Sequence, residues 1–329
     1  MNSSSPASFG SRPPGYGAWR AACLATLLLA ALPLRPLQGQ DSAPYPRISQ
    51  EAFNARLPFW DYDRSIPLEG RVVRAWREGG RLREKIVFRG AQGFLVPGYL
   101  EFPSTNQRPW RLILLLHGWS GGKEDWYKDD NYINGGLMRT ALLEAGYATL
   151  ALDAATHGER SHEIDYQQVN PFDDPQAPPR RNYFTFAEIS VQTVKDYRRA
   201  LDFVYARGVV NTNGVGVLGY SMGGMDAFYL LAVEPRIQMA VTCVPPLLSL
   251  GYGPASPVDY TWGLGQRPLL MLMGRRDGLG VAAKVEASYH HYLEGPNTKL
   301  IWYDKGHQLG PGYVPDALAW VKAHLDPGR

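Results

Sequence analysis

Residues Gly219-Tyr220-Ser221-Met222-Gly223 set a serine between two glycines where it could act as a nucleophile. The run before it, Gly214-Val215-Gly216-Val217-Leu218, reads as a short buried strand. The run after it, Met225 to Ala232, reads as a helix. A serine on a sharp strand-to-helix turn has its hydroxyl pushed out of the sheet edge, and glycines on both sides remove Cβ atoms that would clash there. The start of the helix adds free N–H groups and the positive end of a dipole. The pentapeptide alone also fits a plain turn; the strand–turn–helix setting is what points to nucleophilic chemistry.

A serine hydroxyl needs a base to take its proton, and that base needs an acid to fix its tautomer. Of the seven histidines, His290 and His291 fall in one predicted helix and His324 in another. His117, His157 and His162 precede the serine. His307 lies in a loop after the last predicted strand, in Asp304-Lys305-Gly306-His307. The chain order Ser…Asp…His then asks for an acid between 221 and 307 at a strand end. Asp277, after the strand 269–273, fits; Asp259 is the weaker candidate because no strand aims it. Taken singly, His307 also reads as a loop histidine and Asp277 as a helix cap.

An oxyanion formed at Ser221 needs two N–H donors. Met222 supplies one. The other is expected from His117-Gly118-Trp119-Ser120, with Trp119 preferred and Ser120 in reserve. This chemistry requires no cofactor and no metal. His157, His162, Glu163 and Asp165 match neither a helix face nor a zinc spacing, so they read as a loop supporting the serine turn.

These groups need a scaffold of strand ends. Runs at 71–76, 84–88 and 94–102 read as antiparallel strands. Leu112 to Leu116 is continuously apolar, as a strand buried on both faces must be. Helices are expected at 137–145, 186–206, 225–232, 281–293 and 314–325, alternating with strands at 147–152, 214–218, 239–244, 269–273 and 299–303. That alternation predicts an α/β fold: a mostly parallel sheet with helices on both faces. Two stretches break it, 159–183 and 245–265, and both are expected to wall a pocket at the sheet's ligand-binding edge. Residues 41–68, rich in proline and aromatics, read as an arm laid over the surface.

Arg12 and Arg20 precede an apolar run, Ala21 to Leu34, which is too short to span a bilayer and reads as an export signal. The expected division is therefore a signal peptide at 1–39, an arm and lead-in strands at 40–84, and a catalytic domain at 85–329. The alternative for the first segment is an uncleaved anchor. Its loss removes three arginines and no acid, taking the formal charge of +3 to neutrality. No basic patch remains to suggest nucleic acid, and no stable membrane insertion is expected after cleavage. Cys243 is then the only cysteine, so no internal disulfide can form, and its apolar run predicts a buried thiol.

In combination, His117-Gly118-Trp119, Asp153, His157-Gly158-Glu159-Arg160, Gly219-Tyr220-Ser221-Met222-Gly223, Asp277 and Lys305-Gly306-His307 resemble the α/β-hydrolases. The resemblance covers about 85–325 and is to the dienelactone-hydrolase-like esterase branch, which includes prolyl-oligopeptidase-type catalytic domains. It implies an α/β-hydrolase fold with no large lid. Dienelactone hydrolases use a cysteine nucleophile, so their substrate does not transfer, and no β-propeller precedes the domain as in prolyl oligopeptidases. The expected protein is an exported serine esterase acting on a small-molecule ester, with a short acyl group or a carbohydrate or aryl alcohol. A peptidase or amidase is the alternative, and a non-catalytic binding protein the more distant one. Leu247, Leu248, Leu250, Tyr252, Tyr260 and Trp262, with Trp119 and Trp126, are expected to leave room for only a small acyl group.

Overall fold

The apolar runs of the sequence become the strands of one nine-stranded sheet. The computed structural model describes residues 42–105, 108–161, 167–168, 183–246 and 256–325. The expected export segment lies outside them.

A short helix, α1 (Gln50–Arg56), precedes three strands, β1 (Arg71–Glu78), β2 (Arg81–Arg89) and β3 (Leu95–Phe102). Next come β4 (Trp110–Leu116), α2 (Gly135–Glu144) and β5 (Ala148–Leu152). Two-residue strands β6 (Gln167–Gln168) and β7 (Tyr183–Phe184) form a separate parallel pair. Then α3 (Phe186–Ala206), β8 (Val210–Tyr220), α4 (Met222–Val233), β9 (Met239–Cys243), β10 (Leu269–Gly274), α5 (Ala282–Tyr292), β11 (Thr298–Tyr303) and α6 (Tyr313–Leu325) complete the fold.

The strand order is β1-β2-β3-β5-β4-β8-β9-β10-β11. The first three strands pair antiparallel, and β5 through β11 run parallel. This is the mostly parallel α/β sheet the alternation predicts. The boundary expected at 84/85 falls inside β2, which pairs along its length with β3.

The central strands are buried on both faces, so their sequences are apolar without alternation. One face packs against α3, α4 and α5 through residues such as Ile189, Leu201, Phe228 and Val285. The other packs against α2 and α6 through Met138, Leu142, Val321 and Leu325. Local chemistry sets the helix ends. Thr185 and Glu188 form a reciprocal capping box at the start of α3. Gly146, at φ 91°, follows α2 in a conformation costly for a side chain.

The arm is more deeply inserted than a surface strap. Trp60 is fully buried, its Nε1–H donates to Tyr260 Oη at 2.9 Å, and Phe53 packs edge-on against the same tyrosine. Asp259 accepts from Ile48 N–H at 3.0 Å and from Arg56 Nη1 at 2.7 Å. The weaker candidate for the acid is thus occupied in clasping the arm. Tyr260 and Trp262 are not among the described residues that line the cleft at Ser221: Tyr260 is buried between Trp60 and Tyr229, and Trp262 lies under the Arg47 guanidinium. Leu247, Leu248, Leu250 and Tyr252 lie outside the described residues, as do His162, Glu163 and Asp165. Trp126 is also misplaced by the sequence reading: it is fully buried in the core facing α2.

Candidate active site

Register brings the functional strand ends to one edge. Leu116 of β4 pairs with Gly219 of β8, Tyr220 with Cys243 of β9, and Gly274 of β10 with Tyr303 of β11. Each strand then releases a loop at the edge where ligands bind in open α/β sheets.

Ser221 sits in the turn between β8 and α4 with φ 57° and ψ −121°, a conformation that L-residues rarely adopt. Its N–H donates to Cys243 O at 2.8 Å, and its carbonyl accepts from Met225 N–H at 3.0 Å. The flanking glycines are required by close approach. A Cβ on Gly219 would run into the Gly223 carbonyl, and one on Gly223 into the Leu116 carbonyl.

His307 lies in the loop after β11. Its Nε2 is 2.7 Å from Ser221 Oγ, and its Nδ1 is 2.8 Å from Asp277 Oδ2. A carboxylate only accepts, so Nδ1 carries the proton and Nε2 is left to accept from the serine hydroxyl. Asp277 Oδ1 accepts from Leu279 N–H at 3.0 Å, which fixes the carboxylate plane. The two loops are laced together by Arg276 N–H donating to Lys305 O at 2.8 Å. Tyr220, the variable residue of the serine motif, holds the histidine loop from below. Its hydroxyl donates to His307 O at 3.0 Å and accepts from Leu309 N–H at 2.8 Å. Sequence reasoning had no signal for that clamp, because the motif leaves this position open.

Met222 is the first residue of α4, and Trp119 follows Gly118 in the loop after β4. Among the described residues neither N–H donates to a protein acceptor. Both residues, with Ser120, line a cleft of about 270 Å³ that also exposes Ser221 and His307. Its walls are Tyr132, Phe186, Pro246 and Leu279. Trp119 stacks on Phe186 with centroids 5.2 Å apart, so this wall is a rigid aromatic surface. Phe186 read only as a helix start, and neither Leu279 nor Tyr132 carried a signal in the sequence.

A second set of charged groups lies beneath the first. Asp153 accepts from Lys123 N–H at 2.8 Å, from Lys123 Nζ at 2.7 Å and from Glu159 N–H at 3.0 Å. His117 Nε2 accepts from Ala154 N–H at 2.9 Å, so its proton is on Nδ1, 2.8 Å from Gly118 O. Burial holds His117 below the usual histidine range. Burial, then the neighbouring His117, pushes His157 down to about 4. Among the described residues no cluster of histidine, cysteine and carboxylate could hold a metal ion. Burial pushes the Cys243 thiol far up, so it is inert.

A mostly parallel sheet with a serine in a strained strand-to-helix turn, facing a histidine and an aspartate on later strand ends, defines the α/β-hydrolase architecture. The profile described as the alpha/beta hydrolase family matches residues 113–326, and the chain belongs to that family. It is similar to YtaP of Bacillus subtilis (strain 168), a protein named as a hydrolase, with 24% identity over 149 residues. That match covers 44% of this chain and 46% of the Bacillus protein, so it spans about half the length of that relative. Among solved structures, an acetyl xylan esterase from Paenibacillus sp. R4 superposes with a TM-score of 0.64 at 19% identity, over 87% of this chain and 98% of that one. A glucuronoyl esterase from Solibacter usitatus gives 0.58 at 13% identity, over 84% and 92%.

Proposed function

We propose that the protein is an exported serine esterase, its mature part starting near Gln40 and its catalytic domain at 85–329. The observation that carries this is the unbroken chain from Ser221 Oγ through His307 to Asp277, open to a cleft. His307 Nε2 takes the hydroxyl proton as Ser221 Oγ attacks the ester carbonyl carbon. The carbonyl π electrons move to oxygen, where the N–H groups of Met222 and Trp119 receive the charge. Asp277 holds the imidazolium. The tetrahedral intermediate collapses by expelling the alcohol, which takes the proton from Nε2, and leaves the acyl group on Ser221. Water, deprotonated by the same nitrogen, releases the acid.

The similar folds named as acetyl xylan and glucuronoyl esterases support esters of carbohydrates as the substrate class. The aromatic wall of Trp119 and Phe186 supports a short acyl group. Each further acyl CH₂ gains about 0.8 kcal/mol only while it can be buried. A fluorophosphonate should label the protein once, on Ser221. Across 4-nitrophenyl esters, kcat/KM should peak between acetyl and butyryl. Labelling elsewhere, or faster turnover of long-chain esters with a jump above the micelle concentration, rejects the reading.

A further inference from the structure

A second cavity, of about 310 Å³, opens at the far edge of the sheet, where β4 begins and α2 ends. β4 runs from Trp110 to Leu116, so about 20 Å of strand separates this cavity from the Ser221 edge. Its volume lies at the low end of the range for small-molecule sites and suits a single ring-sized polar ligand.

Two guanidinium groups line it, those of Arg108 and Arg111. The fold fixes both stems. Arg108 lies over Trp110 with its Cζ 4.5 Å from the ring centroid, and Trp110 packs in turn on Phe102. Arg111 crosses Gly214, where a Cβ would stand 2.7 Å from the arginine Cγ. The register makes room for this: Trp110 pairs with Val210 but Leu112 with Val215, so β8 carries extra residues opposite Arg111. Among the described residues neither guanidinium makes an ion pair or a side-chain hydrogen bond. The carboxylate in the wall is that of Glu144, which pairs with Arg81 at 3.2 Å. Two positive charges thus face one cavity with no counter-charge of their own. A stacked guanidinium keeps its in-plane fork of donors free, and that fork matches a carboxylate. The rest of the wall suits hydroxyl groups. α2 ends there at Glu144, with carbonyls that no later turn can satisfy, and Thr105 and Asn211 add a hydroxyl and an amide. A ligand with one carboxylate and several hydroxyls matches both halves, whereas a fatty acid matches only the first.

We propose that this cavity binds a sugar acid, its carboxylate held by Arg108 and Arg111 and its ring hydroxyls donating to the end of α2. The site does not use Ser221 and stands whether or not the esterase reading holds.

Titration of the full chain with glucuronate, glucose and inorganic phosphate, followed by ligand-detected NMR, tests the proposal. Glucuronate should bind with a Kd of about 1 mM, and glucose, which lacks the carboxylate, at least about tenfold more weakly. Phosphate fits the arginine forks but not the hydroxyl acceptors, so it should also bind more weakly. Arg108→Gln and Arg111→Gln keep most of each stem and should each weaken glucuronate about tenfold or more. Asn211→Tyr should obstruct the cavity from β8 without removing either charge. All three variants should unfold at the wild-type temperature, and any ester cleavage by the wild type should persist in them. Glucuronate affinity within about twofold of wild type in both arginine variants overturns the proposal. So does glucose or phosphate binding as tightly as glucuronate, or no binding of glucuronate at millimolar concentration. None of these outcomes touches the esterase reading, which fails separately if the wild type neither takes a fluorophosphonate nor cleaves esters.

Discussion

His307 and His117 both hang from strand ends at the same edge of the sheet, and both have an aspartate close by, yet they are built for opposite ends. His117 is 2% exposed, and both ring nitrogens face backbone groups, Ala154 N–H and Gly118 O. The His307 side chain is 28% exposed, and its Nε2 faces a hydroxyl. The aspartates differ in the same way. Asp153 is saturated by Lys123 and two backbone N–H groups, whereas Asp277 spends one oxygen on Leu279 and the other on a titratable ring. Chemical competence here lies in what is left unsatisfied. The Asp153 network is locked by its own partners, whereas His307 Nε2 faces the Ser221 hydroxyl at the cleft.

The sharpest way to break the comparison is to remove each set in turn. Ser221→Ala and His307→Ala should each lower kcat by about 10⁴- to 10⁶-fold with thermal stability unchanged, because the groups act as a unit. Retention of a tenth of wild-type turnover by either variant would exclude that residue from the chemistry.

Lys123→Met should do the reverse. The Lys123 side chain is 1% exposed, and burial opposes its charge, but Asp153 and Glu159 outweigh that and raise its pKa. Without it Asp153 keeps a buried, uncompensated charge, which costs about 3–5 kcal/mol of stability. Chemical denaturation should show that loss, while kcat of the folded enzyme stays within a few-fold of wild type. A large fall in kcat with unchanged stability would make the network part of the chemistry.

The smallest expected effect is on pH. The folded pKa of His157 is depressed to about 4 from 6.5, so the unfolded chain binds the extra proton first. Stability should therefore fall with pH between about 6.5 and 4, by about 2–3 kcal/mol at pH 4.5. Urea midpoints at the two ends measure it, and His157→Asn should flatten the slope. An equally steep slope in that variant would assign the effect to other groups.

Strands and helices were legible because burial on one or both faces writes a period into the chain, and α3 spans the 186–206 that its periodicity predicts. Ser221, His307 and Asp277 could be picked out because each follows a strand, and strand ends share an edge. The side chains that shape the cleft follow no such rule. Tyr132 reaches it from a loop, and Phe186 from a helix cap region distant in sequence. Trp126 is close to Trp119 in sequence but is turned into the core. Tyr260 and Trp262 were misread for the same reason: an aromatic-rich loop beside a strand end suits a pocket wall and an arm's anchor equally well.

The arm's anchors carry a consequence for assembly order. Trp60 meets Tyr260 across 200 residues of chain, and Tyr45 meets Ser288 across 243. Closing loops of that length adds little entropy cost per added residue, but it puts these contacts among the slowest to form. The first described stretch to be synthesised is therefore the last to find its place. Until residues near 260 have emerged, Phe53 and Trp60 have nothing to pack against and remain adhesive surface. The arm can dock only after residues 260 and 288 have emerged, later than the segment carrying Ser221.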